Sequence, residues 1–387
     1  MLGGIGVHVC GAWQLVLATS FWGSHVLRLI AVSLLLCLKG LGFEAFRMEG
    51  RIMAIITHPT RIFDLHCDTL DRLALHNAIP EAGFMAEDSL VPAHRMSSLA
   101  DNAAHIDLTR MARAQYAWCQ CFAAFIPDGL GEQGSLHVFN TVHSYFKEQL
   151  AQHAGLIEQV MDARDIRRTV DEGRCAAMFT VEGGSFLGEE LDRVYEAADL
   201  GVKMITLTWN DKNAIASGNK TTDGLSFFGR DVVRTMEKRR VVVDVSHLND
   251  CSFWEVLEVA ERPLVASHSN SRKICAHPRN LTDDQFRAIV ERGGLVGLNY
   301  CKRFLSEAGH VTHDDVLRHV DHLLELGGEH VLALGSDYDG CDVPEWLCPA
   351  EKVGNLYDLL SREFGQDIAD AICFENACAF FERNEQR

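Results

Sequence analysis

A chain of 387 residues, 47% of them hydrophobic and 23% charged, suits one α/β barrel with additions and is too apolar to be disordered. Its 36 basic and 54 acidic residues leave a formal charge of −18, which disfavours nucleic acid and anionic membrane as partners. The 13 cysteines contain no CxxC pair and read as scattered buried thiols of a reducing cytoplasm rather than a disulfide framework.

The amino-terminal stretch is set apart by composition. Residues 11 to 43 are dominated by Leu, Val, Ile, Ala and Phe, with Arg28 and Lys39 as the fixed positive charges. The apolar run from Leu29 to Leu38 is shorter than the roughly 20 residues a spanning helix needs, and extending it brings in His25 and Arg28. Three readings stay open: an anchor, a degenerate signal, or sequence upstream of the true start. Met48 and Met53, just before the first convincing strand, favour the last. The chain is therefore expected to divide into an apolar segment, 1–53, and one barrel domain, 54–387. A cytoplasmic location is expected, with membrane attachment through residues 11–43 as the alternative. The end of the chain, ACAFFERNEQR, has no apolar tail of the lipid-anchor type.

From residue 62 a rhythm sets in. Strands are expected at Ile62–Cys67, Ala117–Phe125, Ala176–Val181, Met204–Thr208, Val241–Ser246, Leu264–Ser267, Leu295–Asn299 and Val331–Gly335. Continuous apolar runs such as VVVDVS are what strands buried on both faces look like. Helical patterns lie between them, at Leu136–His153, Glu189–Leu200, Arg230–Lys238, Cys251–Ala260, Asp283–Glu291 and Asp314–Leu326. Thr282 followed by Asp283 and Asp284 is a helix start, and Gly201, Gly293 and Gly327 fall where helices stop. Eight strands alternating with helices imply a parallel sheet closed into a (β/α)8 barrel of the TIM type. No GxGxxG or P-loop supports a nucleotide fold.

The strand ends carry the chemistry. The first runs into His66-Cys67-Asp68, where residues two apart share a side. The third ends in Glu182, the fifth in His247, the sixth in His268 and the eighth in Asp337. Barrel enzymes place their reactive groups at this end of the strands. Three imidazoles and two carboxylates suit zinc or a similar divalent ion, and five ligands are about right for two ions sharing a carboxylate. Each residue alone is weak, since a single histidine at a strand end is more often a packing residue. The histidines at 137, 143, 153, 319 and 322 fall in helical stretches and are read as packing or surface groups.

The segments FDLHCDTL, VEGG, VDVSHLND, SHSNSRKICAHPRNLTDD and GSDYDG resemble those of the membrane (renal-type) dipeptidases, peptidase family M19, in their bacterial form. The resemblance runs from about residue 62 to about residue 380 and implies a zinc-dependent dipeptidase of the metallo-dependent hydrolase barrel type. It implies two divalent ions, with zinc expected. His66 and Asp68 would hold the first, Glu182 would bridge both, and His247 and His268 would complete the second. Arg279 would bind the substrate's carboxylate, and Asp337 would be the acid/base that serves a hydroxide activated by the metals. Small dipeptides are the partners this implies; a homodimer stays open. One position departs: the renal enzymes read LTH after the fourth strand, whereas this chain reads LTWN, so Trp209 stands where their histidine contacts substrate. Tryptophan donates one N–H and cannot take a proton, which leaves substrate range open. The competing readings are an amidohydrolase for another small amide or ester, and a non-catalytic metal-binding barrel.

Overall fold

The computed structural model describes residues 60–75 and 98–386, together with the backbone of two strands at Phe43–Met48 and Arg51–Ile56. The apolar run that the sequence set apart as an anchor, signal or upstream segment lies outside the described residues. The chain divides into two compact units, 1–59 and 60–387. In the first, the two strands form an antiparallel hairpin whose register runs from Phe43↔Ile56 to Met48↔Arg51. Among the described residues no helix is long and apolar enough to cross a membrane.

The second unit is a closed parallel barrel of eight strands. They are β1 (Arg61–Asp64), β2 (Ala117–Phe125), β3 (Cys175–Glu182), β4 (Val202–Thr206), β5 (Val242–Asp244), β6 (Val265–Ala266), β7 (Leu295–Leu298) and β8 (Leu332–Leu334). Each pairs in parallel with the next, and β8 returns to β1 through the single register pair Leu334↔Asp64. That seam is reinforced by side chains. The Ser336 backbone N–H and hydroxyl donate to the two oxygens of Asp64 at 2.8 and 2.5 Å, and Leu65 N–H donates to Leu334 O at 2.8 Å. A three-residue strand, Ile157–Gln159, adds to the first half of β3, on the side that β4 takes over from Phe179 onward.

All eight expected strands are present, several of them shorter than expected. The ends of β5, β6 and β8 stop before the polar residues because the chain there leaves the ladder to place side chains. The expected helices are also present; Thr282 forms a capping box with Gln285, and Gly201, Gly293 and Gly327 take positive φ at helix ends. Alternate strand residues gather inside the barrel: Phe63, Cys119, Met178, Met204, Val242, Val265, Leu295 and Ala333 share one buried cluster. The last helices cover the strands' starting end. Phe381 stacks on Phe63 with centroids 5.6 Å apart, and Asn376 donates to the carbonyls of Leu332 and Glu329 at 2.8 Å each.

Candidate metal centre

The opposite end of the barrel is where the strands deliver their polar residues. Glu182 closes β3, and the two glycines after it are required: a Cβ on Gly183, at φ +94°, would meet Ile126 O at 2.8 Å, and one on Gly184 would meet Ile215 Cδ1 at 2.5 Å. His66 and Asp68 follow β1, His247 follows β5, His268 follows β6 and Asp337 follows β8. His247 and Asp337 hold φ of +69° and +62°, a left-handed conformation that non-glycine residues keep only where surrounding structure imposes it.

All six of these side chains are buried. Glu182 is at their centre. Its Oε1 lies 2.7 Å from His247 Nε2 and 3.4 Å from His268 Nε2, while Oε2 lies 3.5 Å from His66 Nε2. His66 Nε2 is also 3.5 Å from Asp68 Oδ2, so the expected pairing of residues two apart holds, and Cys67 between them is buried in the outer apolar cluster. The rings of His66 and His268 stack at 3.9 Å, and the Nε2 atoms of His247 and His268 face each other at 2.9 Å. Ligand atoms of His66, Glu182 and His268 lie within 4.8 Å of one another, as do those of His66, Asp68 and Asp337. Asp337 accepts from Asn299 Nδ2 at 3.0 Å and shares its space with Asp68: a Cβ on Gly340 would sit 1.9 Å from Asp68 Oδ2 and 2.5 Å from Asp337 Oδ1.

The donor set fits a divalent cation. His66 Nε2 and Asp68 Oδ1 are buried without a hydrogen-bond partner, an expensive arrangement that a cation relieves. Mixed imidazole and carboxylate donors suit zinc and its neighbours. The electrostatics of the protein groups alone agree. Burial disfavours charge on His66, but Asp68 and Glu182 overcome it and raise its pKa well above the usual value. Burial works against Glu182 too, and His66 and His247 still hold it well below the usual carboxylate range. Burial and then Glu182 push Asp68 up to about 6; burial, with Asp68 and Glu182 opposing its charge, pushes Asp337 up to about 7.

Arg279 lies beside this group, buried, with Nη2 donating to His268 O at 3.2 Å and Nε without a partner. Asp283 and Asp284, its sequence neighbours, pair instead with His322 and Arg287. Trp209 sits edge-on to Phe125 at 4.9 Å, with His247 at 6.4 Å and the Lys220 ammonium over its ring at 5.5 Å. Of the helical histidines, His319 is a packing residue bonded to Ser271 N and Leu305 O. Sequence reading did not pick out Asn210, Asn219, Ser267 or Asn299, which touch this centre or its ligands, or Asp244, which holds Ser267; the serine and aspartate in VDVSH and VASHS are the signal that was available.

A family model described as membrane dipeptidase (peptidase family M19) matches residues 50–386. An uncharacterized protein of the pqqA 5′ region of Klebsiella pneumoniae is 35% identical over 245 residues, spanning 59% of this chain and 90% of its own. A metallopeptidase from Rhodobacter sphaeroides, solved with a phosphinate mimic of the dipeptide L-Ala-D-Ala, is similar at TM-score 0.74 and 25% identity, with 84% of this chain and 99% of that one covered. A solved dipeptidase of family M19 is similar at TM-score 0.74 and 26% identity, with 84% and 98% covered.

Proposed function

Because this chain belongs to the membrane dipeptidase family, peptidase family M19, and is a metallo-dipeptidase, we propose how its own residues share the work of dipeptide hydrolysis. His66 and Asp68 would hold one divalent ion, His247 and His268 a second, and Glu182 would serve both; the donor set favours zinc. The observation that carries this reading is the placement of Glu182, whose two oxygens face different imidazoles, Oε1 toward His247 and His268 and Oε2 toward His66. Divalent ions bound there would supply Lewis acidity for a scissile carbonyl and lower the pKa of a bound water.

Arg279 receives the free carboxylate of the dipeptide. Its guanidinium is buried, carries an unpartnered Nε and has no carboxylate of its own in ion-pair contact among the described residues, so an anionic group on the substrate completes it. The relative solved with a phosphinate mimic of L-Ala-D-Ala supports a substrate of this size and charge. Asp337, buried beside Asp68 and accepting from Asn299 Nδ2 at 3.0 Å, takes the proton of the attacking water and passes it to the leaving amine. Trp209 lines the side of His247 and can donate at most one N–H to a substrate there. Every described cysteine is free, which supports a cytoplasmic setting. The test is exhaustive chelation of the full-length enzyme: dipeptide hydrolysis should vanish and return with zinc, and full activity in a verified metal-free sample would overturn the reading.

A further inference from the structure

The two histidines that face each other across the centre are each held from behind by a hydrogen-bond relay with a fixed direction. Asn219 donates from Nδ2 toward the His247 backbone carbonyl at 3.4 Å and to Asn210 at 2.6 Å. A carbonyl only accepts, so the Asn219 amide nitrogen is the donor in both contacts, and the Asn210 atom that meets it is the amide oxygen. That same oxygen lies 3.1 Å from His247 Nδ1, which must therefore carry the proton. Asn210 is itself fixed, because its backbone N–H donates to Asp128 Oδ2 at 3.2 Å and its carbonyl accepts from Lys220 N–H at 2.9 Å.

The second relay reaches the same result by other residues. Asp244 is a buried carboxylate that the hydrolytic mechanism does not use. It accepts the Ser246 and Ser267 backbone N–H groups at 3.0 and 2.9 Å, the Thr206 hydroxyl at 2.5 Å and the Ser267 hydroxyl at 2.6 Å. With its single proton given to Asp244, Ser267 Oγ has lone pairs left for His268 Nδ1, 2.7 Å away, so that nitrogen carries the proton as well. Both Nε2 atoms are then left with a lone pair, aimed at one another across 2.9 Å. Two facing lone pairs repel unless a cation takes them.

We propose that Asn210, held by Asn219, and Ser267, held by Asp244, are positioning residues that lock His247 and His268 in the tautomer whose Nε2 atoms both face the cation site. The proposal rests on the reading of His247 and His268 as ligands. Partners of this kind typically contribute 10- to 100-fold to metal affinity.

The test measures zinc affinity of the full-length protein by competition with a chromophoric chelator. Ser267→Ala and Asn210→Ala are each expected to weaken zinc about 10- to 100-fold. Ser267→Thr, which keeps the hydroxyl, and Asn210→Asp, which keeps an acceptor, are expected to restore it. Unchanged zinc affinity in both alanine variants would overturn the proposal. So would a loss in Ser267→Ala that Ser267→Thr fails to rescue, since that is a packing effect. A His268→Asn variant that holds zinc like the wild type would instead overturn the ligand reading itself.

Discussion

The two ends of this barrel are built from the same strands and obey opposite rules. At the starting end, charges meet opposite charges: Arg167 pairs with Glu375 and Glu382 at 2.8 and 2.9 Å, and Lys203 with Glu385 at 2.8 Å. Left-handed residues there, Gln115 and Arg240, do the ordinary work of ending helices. At the finishing end, left-handed residues carry the reactive side chains His247 and Asp337, and His66 Nε2, Asp68 Oδ1 and Arg279 Nε are buried without a hydrogen-bond partner. Stability is concentrated at one end and chemistry at the other, the general division of labour in barrels of this kind. A polar group left unsatisfied at the first end is a defect; at the second it marks where a ligand belongs.

Substitutions can break or sharpen that contrast. The largest effect is expected from Glu182→Gln, which removes a charge from between the imidazoles without changing volume. kcat/KM for a dipeptide should fall more than about a thousandfold with zinc content reduced, while the metal-free variant melts near the metal-free wild type. A variant that unfolds instead would mean that this end also carries the fold. Arg279→Met comes next. The wild type should prefer a dipeptide over its C-terminal amide by about 10- to 100-fold, in line with roughly 1.5–3 kcal/mol for a charged hydrogen bond, and the variant should lose most of that preference while keeping zinc. Equal cleavage of acid and amide by the wild type would make Arg279 structural.

Acidity gives a third measurement. Asp68 and Asp337 have pKa values raised to about 6 and about 7, so in the metal-free protein they keep their protons up to those values. A cation held by His66 and Asp68 beside Asp337 must displace the protons of these carboxylates and the one that His66 keeps to higher pH, so zinc affinity should rise with pH through this window and beyond it, by up to about tenfold per unit for each proton displaced. Chelator competition at about pH 5.5 and about pH 7.5 reads the slope, and a flat profile removes these carboxylates from the site. The smallest effect belongs to the other end. Lys203→Met breaks a partly buried ion pair and should cost about 1 kcal/mol or less, seen as a drop of about 2 °C in melting temperature with kcat/KM unchanged. A loss of activity there would show that the two ends are coupled.

Much of the site was legible because each strand ends where its apolar run ends, and the next polar residues are the ones the barrel presents. His66, Glu182, His247, His268 and Asp337 all announced themselves by that position. The relays behind the histidines did not. Asn210 and His247 are 37 residues apart and Ser267 and Asp244 are 23 apart, and beyond the placing of Ser267 next to His268 nothing local says whom such a residue will meet. The covering helices near the carboxyl end were also missed. A π-helical turn at Ala371–Glu375 shifts the phase of the apolar pattern, so no single helical period runs through that stretch. The three-residue strand Ile157–Gln159 is too short for any periodicity to show.

The seam between β8 and β1 has one further consequence. Its ladder is as thin as that of the β5–β6 join, one register pair in each, and it is closed further by the Asp64–Ser336 clasp and a bridge between Cys67 and Tyr338. His66 and Asp68 stand on one lip of it and Asp337 on the other, their ligand atoms within 4.8 Å. An ion held by His66 and Asp68 would attract the Asp337 carboxylate across the join and so act as a latch. Its removal should therefore act on kinetics, letting the cylinder spring open along this line and shortening the lifetime of the native state. Amides of β1 and β8 would then exchange with solvent first.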